Sequence, residues 1–217
     1  MTRLVSACYN DFYPFSGLLE ISNRLVAEGP DDLRRGDILI LWGGEDISPT
    51  IYGKRRSYYS GAKRGSLSNR DNIEMNLVCA AKDLEIPIIG VCRGAQLLCG
   101  LNNGYLFQHV TNHAVVREHM VYTEDGKNFF ANSLHHQQMV PGGNFELIAW
   151  TKAISAVYFD VDIDVKQHPL GVDPEFVYYP DCRGFAIQWH PEMMKSNCEA
   201  TLYIGEKIKE KLKDYLE

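Results

Sequence analysis

At 217 residues the chain is long enough for a single α/β domain with a full core, and it does not demand two. Apolar residues make up 45% and charged residues 23%, and no apolar run approaches the roughly 18 to 20 residues that span a bilayer, so an integral membrane protein is not expected. A formal charge of −6 argues against nucleic-acid binding over the whole surface.

The start, MTRLVSACYNDF, lacks the long apolar stretch and small-residue cleavage site of a secretory leader, so a cytoplasmic location is expected. Hydrophobic periodicity then predicts a strand over residues 4–8, a helix over 17–28, a strand over 37–42, a helix over 72–84, a strand over 86–91 and a helix over 94–101. Such alternation implies βαβ units and a parallel sheet with helices on both faces. Residues 105–188 change character. Short strands over 119–122, 145–150, 175–179 and 184–188, separated by Gly, Pro, Asn and Asp, predict mixed or antiparallel sheet joined to the parallel one. A charged amphipathic helix over 195–216 closes the chain, with Leu202, Ile208 and Leu212 on its apolar side. The expectation is one domain over residues 1–217, a three-layer α/β fold with a mostly parallel central sheet and a small antiparallel extension.

Between the predicted strand 86–91 and helix 94–101 stands Cys92, in the run GVCRGAQ. A strand-to-helix turn this tight resembles a nucleophile elbow, and Gly90 and Gly94, two residues to either side, permit the bend. The free N–H groups of the following helix would face the sulfur and favour its anionic, nucleophilic form. The other five cysteines are scattered without a CxxC pair. Cys92 and Cys99 lie seven residues apart, roughly 10 Å along a helix and beyond the ~7 Å disulfide limit, so they should not pair.

Ligands of an open parallel sheet bind beyond the carboxyl ends of its strands, where LWGGED also falls. Gly43 and Gly44 would bring bare backbone N–H groups near Cys92, and the N–H groups of Gly44 and Arg93 could hold the oxyanion formed when a thiolate attacks a carbonyl. A cysteine nucleophile needs an oriented base. The run AIQWHPE supplies His190 and Glu192, and Pro191 biases His190 toward an extended conformation in which residues i and i+2 point the same way. Glu192 would fix the tautomer of His190 and stabilise its imidazolium. No metal is expected: there is no HExxH, and the adjacent His135 and His136 cannot share a face of a helix or a strand. No other cofactor is implied. Residues 54–70 carry six Lys or Arg and no acid, which suits either a solvated mobile loop or one that meets an anionic ligand, with Tyr58 and Tyr59 available for stacking.

Taken in order, WGGEDISPTIYG, RDNIEMNLV, GVCRGAQ, NSLHHQ and AIQWHPE resemble the class I glutamine amidotransferases, most closely the γ-glutamyl-γ-aminobutyrate hydrolase-like proteins of peptidase family C26, over roughly residues 37–195. The resemblance implies the flavodoxin-like fold of that superfamily. It also implies a γ-glutamyl thioester on Cys92, with His190 and Glu192 completing the triad and Gly44 and Arg93 as oxyanion donors. By the same resemblance Gly43, Gln96, Ser133, Leu134 and His135 meet the substrate's glutamyl end. Two departures bear on the leaving group: residues 155–182 replace the short Asp-Gly...Glu strand pair of the family, and Asn102-Asn103-Gly104 replaces its Gly-Gly. The expected activity is hydrolysis of a γ-glutamyl amide, of glutamine or of an adduct of a small amine. The alternative is a glutaminase subunit that delivers ammonia to a synthetase, and a synthetase partner or a homodimer is compatible with either.

Overall fold

A computed structural model of the chain describes residues 2–152, 154–161 and 164–217, with the side chains of residues 115–117 also outside the description. Part of the expected insert, residues 162 and 163, therefore lies outside the described residues. In chain order the first half contains β1 (Arg3–Ala7), α1 (Phe15–Leu18), β2 (Arg24–Ala27), β3 (Asp37–Leu41), α2 (Asn69–Asp83), β4 (Ile88–Val91) and α3 (Arg93–Leu101). The second half contains β5 (Tyr105–Phe107), β6 (His109–Val110), β7 (Val115–Thr123), β8 (Asn128–Ser133), β9 (Gln138–Val140), β10 (Glu146–Lys152), β11 (Tyr158–Phe159), β12 (Asp164–Val165), β13 (Val172–Tyr179), β14 (Gly184–Ile187), α4 (Glu199–Lys211) and α5 (Lys213–Leu216).

Nine strands form one sheet in the order β2-β1-β3-β4-β14-β13-β10-β7-β8. The strands from β2 to β14 run parallel to their neighbours, and the remaining four continue the sheet antiparallel. The antiparallel part is thus a larger share of the sheet than its short, turn-broken strands suggest in sequence. Strands β1, β3, β4 and β14 are buried on both faces; β4 and β14 are wholly apolar, β3 is apolar after Asp37, and β1 is broken only by Arg3 and Ser6, the mark of central parallel strands. Two layers of side chains cover the sheet. One, around Phe15, Ile40, Val91, Phe185, Trp189 and Ile204, lies under α4. The other, around Leu39, Leu41, Leu77, Ile88, Leu97 and Val177, lies under α2 and α3.

Two expectations are corrected. The helix over 17–28 is only one turn, α1, because Glu20 takes a left-handed conformation (φ 58°) and Arg24–Ala27 pairs in parallel with β1 as an edge strand. Its apolar residues fit either period, and the free edge of β1 decides between them. In α4, Leu202 is 52% exposed, whereas Ala200, Tyr203, Ile204 and Ile208 form the buried face. Among the described residues no helix is long and apolar enough to cross a membrane.

Candidate active site

The strand β4 delivers Cys92 to the carboxyl edge of the sheet and α3 begins at the next residue. The turn is so abrupt that Cys92 sits at φ 47°, ψ −100°, a conformation costing of order 1–3 kcal/mol for a residue with a Cβ. Close packing enforces it. A Cβ on Gly90 would lie 2.5 Å from the backbone of Gly94, and one on Gly94 would lie 2.3 Å from the carbonyl oxygen of Leu41. The two glycines that permit the bend in sequence are the two that let β4, α3 and β3 touch. All six cysteines carry free thiols.

Opposite Cys92, His190 follows β14 and its Nδ1–H donates to Glu192 Oε1 over 2.7 Å. The pairing does not arise from extended alternation as expected: Pro191 opens a turn of 3-10 helix, Pro191–Met193, which folds the carboxylate back toward the ring. Asn132 clamps the backbone of His190 from β8, accepting from its N–H at 2.8 Å and donating to its carbonyl at 2.9 Å. Burial works against the imidazolium, but hydrogen bonds to Cys92 and Glu192 outweigh it and push His190 up to about 10.

Between the two side chains lies Gly43. A Cβ there would fall 2.6 Å from His190 Cε1 and 3.5 Å from Cys92 Cβ. Gly43→Ala is therefore expected to push the imidazole off the sulfur and lower kcat by about 100-fold, the usual consequence of a 1 Å misplacement, with the melting temperature little changed. Steady-state kinetics beside a thermal melt would check it.

Gly44 has φ 144°, a conformation that favours glycine, and its Cβ position is filled by Arg70 Nη1 at 2.3 Å. Arg70 donates to the carbonyls of Trp42 (2.7 Å) and Gly43 (2.9 Å). In a trans peptide the N–H points opposite to the C=O, so these two bonds turn the N–H groups of Gly43 and Gly44 away from Arg70. Both glycines line the cavity. Arg93, as the first residue of α3, carries a backbone N–H without an intrahelical partner. Its side chain is fully buried and does other work. It pairs with Asp71 Oδ1 at 2.6 Å and with Glu74 Oε2, while Glu74 Oε1 also accepts from Arg70 Nε at 2.7 Å. Asp71 in turn forms a reciprocal cap with Ser68 at the start of α2, at 3.0 Å in each direction. The segment RDNIE thus ties the Gly43–Gly44 loop and the turn after Cys92 to one helix end.

A cavity of about 510 Å³ opens over Cys92, lined by Tyr9, Trp42, Gly43, Gly44, Leu134 and His190, with Asp11, Glu192 and Met193 completing it. That volume suits a small-molecule substrate. Of the residues expected at the glutamyl end, Gly43 and Leu134 line this cavity. Gln96 lies buried one turn along α3. Ser133 is turned inward, its hydroxyl donating to the carbonyl of His113 (2.5 Å), and His135 is turned inward beside Glu175. In the basic segment 54–70, at least three of the six cations are engaged within the fold, while Lys63 and Arg64 are exposed. Lys54 pairs with Asp160 (2.8 Å), Arg56 donates to the carbonyls of Ser57, Ser60 and Ala62, and Arg70 already belongs to α2. Tyr59 stacks on His109, with centroids 5.0 Å apart. None of these residues lines the cavity, which holds the carboxylates Asp11 and Glu192 beside His190 and, among the described residues, no Lys or Arg. Sequence reasoning missed Asn132 and Arg70, although both stand inside the quoted motifs.

The peptidase C26 family profile matches residues 31–158, which include Cys92 and the glycine loop but not His190 or Glu192. Glutamine amidotransferase-like protein YvdE of Lactococcus lactis subsp. lactis is 28% identical over 176 residues, 72% of this chain and 66% of its own length. Protein NtpR of Enterococcus hirae is 29% identical over 182 residues, 74% of this chain and 69% of its own. The chain thus spans about two thirds of the length of the curated relatives it matches. Among solved structures, a glutamine amidotransferase from Thermotoga maritima superposes over 100% of this chain and 98% of its own with a TM-score of 0.60 at 11% identity, which shows the shared fold. The chain belongs to the peptidase C26 family of class I glutamine amidotransferase-like proteins.

Proposed function

We propose that the chain hydrolyses a γ-glutamyl amide through a γ-glutamyl thioester on Cys92. The observation that carries this reading is the convergence of Cys92, His190 and Glu192 around Gly43, at the floor of a cavity of small-molecule size. In the proposed first step the Cys92 thiolate attacks the amide carbonyl, and the N–H groups of Gly44 and Arg93 hold the oxyanion. His190, protonated at the outset, gives its proton to the departing amine. Acylation removes the negative charge from the sulfur, and with it one cause of the raised His190 basicity. The neutral imidazole can then take a proton from water, which attacks the thioester and releases the acid. Glu192 holds Nδ1–H throughout, so that Nε2 faces the chemistry. The acidic lining, Asp11 and Glu192, gives no support to an anionic leaving group.

The test is release of glutamate by the purified chain alone, offered L-glutamine beside a panel of γ-glutamyl amines. Turnover of an adduct supports the reading and names the leaving group. No turnover, with Cys92 still alkylated by a glutamine analogue, would replace it with an ammonia-delivering subunit that waits for a synthetase. In the active case His190 stays charged until the pH approaches about 10, so kcat/KM should fall only through that region. Glu192→Gln removes one of the anions that favour the imidazolium and should shift this alkaline limb to lower pH.

A further inference from the structure

Away from the catalytic cavity, three histidines converge on one buried carboxylate. Glu175 stands in β13, His119 in β7, His113 just before β7, and His135 just after β8. Their side chains are 0%, 9%, 0% and 1% exposed, respectively. Glu175 Oε1 lies 3.3 Å from His119 Nε2, 3.5 Å from His135 Nε2 and 3.7 Å from His113 Nδ1. Among the described residues, none of these four atoms has a hydrogen-bond partner.

The far sides of two rings fix where their protons are. The His135 Nδ1–H donates to the carbonyl of Gln137 (2.9 Å), which can only accept. His113 Nε2 lies 2.9 Å from Asp173 Oδ2, and Asp173 also accepts from Tyr158 OH (2.5 Å) and the Ile154 N–H (3.1 Å), so this carboxylate is an acceptor and His113 donates to it. With each ring in its neutral tautomer, Nδ1 of His113 and Nε2 of His135 aim lone pairs at a carboxylate oxygen inside the protein, an unfavourable arrangement unless something positive lies between them. A proton on His119 would serve its own contact with Glu175 and leave the other two lone pairs facing the anion.

A four-coordinate ion with ligands at about 2.1 Å holds neighbouring ligand atoms roughly 3.4 Å apart. The three separations from Glu175 Oε1 bracket that figure, and the ligand atoms of His113, His119 and Glu175 all lie within 4.8 Å of one another. We propose that His113, His119 and Glu175 bind one divalent first-row transition-metal ion, of which zinc is the reference case, and that His135, whose Nε2 lies 3.5 Å from Glu175 Oε1 but outside the close group of the other three, moves in as the fourth ligand. Three imidazoles and one carboxylate suit such an ion, and the Asp173–His113 and Gln137–His135 bonds are the outer contacts that orient ligating histidines. With four protein ligands the site is closed, and its role is structural. It fastens β7 and the segment after β8 to β13, whose neighbour β14 leads to His190. The four ligands come from separated segments, so no sequence spacing reveals them, and the expectation of no metal rested on spacing alone.

The test uses the full chain, stripped with a chelator and titrated with zinc and with cobalt(II). The expected result is one zinc per chain retained through dialysis, a raised melting temperature, and tetrahedral cobalt bands in the visible without a sulfur charge-transfer band. Cys92→Ser should bind as the parent does, and His119→Asn should weaken binding by more than about 100-fold. Should His119→Asn fail to fold, the cobalt spectrum of the parent chain still decides. Absence of stoichiometric metal on the folded chain, an octahedral cobalt spectrum, or loss of binding in Cys92→Ser would each overturn the proposal; the last would mean that the ion binds at the catalytic pair.

Discussion

Cys92→Ser is expected to lower kcat/KM for glutamate release by about 10⁴-fold while the chain keeps its melting temperature. The magnitude follows from removal of one member of a nucleophile–base unit, in which single losses cost nearly as much as the loss of all members. Serine keeps the size of the side chain and accepts the same φ of 47°, so the elbow should survive. It does not keep the sulfur. Part of the rise of His190 to about 10 comes from Cys92, so in the serine variant the imidazole should titrate closer to its ordinary value. Kinetics on the variant together with an NMR titration of His190 would measure both effects. Turnover within tenfold of the parent would contradict the role given to Cys92.

Arg93→Met should be the most destabilising single change near the site, by about 3–5 kcal/mol. The guanidinium is fully buried between Asp71 and Glu74, both buried as well, and removing it leaves two carboxylates in a low-dielectric space. Glu74 would retain Arg70 and Asp71 would retain its cap with Ser68, so the loss should stop short of unfolding the whole sheet. For a chain of this size the melting temperature should drop by about 10 °C or more. Arg93→Lys keeps the charge but not the planar fork, and should lose less. Chemical denaturation of both variants measures the difference. A melting temperature unchanged in Arg93→Met would show that the network is not holding α2 to α3.

The convergence of Cys92, His190 and Glu192 is legible in sequence because its parts are local. Gly90, Cys92 and Gly94 specify a turn within five residues, and His190 and Glu192 stand two apart, so neither needs knowledge of distant strands. Even there the reason given for the His190–Glu192 pair was not the operating one, since the Pro191 turn replaces extended alternation. What was not legible depends on long-range pairing. Arg70 reads as one more charge in a basic run until the fold brings it against Trp42 and Gly43. Ser133 and His135 stand in a motif that the family resemblance directs at the substrate, yet their side chains turn away from the cavity toward His113 and Glu175. The apolar residues of β2 fit a helical as well as an extended period, and only its pairing with β1 distinguishes them.

The most direct test of the central claim is to quench the purified chain during turnover of a γ-glutamyl amide and map any covalent adduct by mass spectrometry. The account predicts a γ-glutamyl group on Cys92 that builds up within the first turnover, decays with the release of glutamate, and is absent from Cys92→Ser. Turnover with no adduct, or an adduct on a different residue, would contradict it.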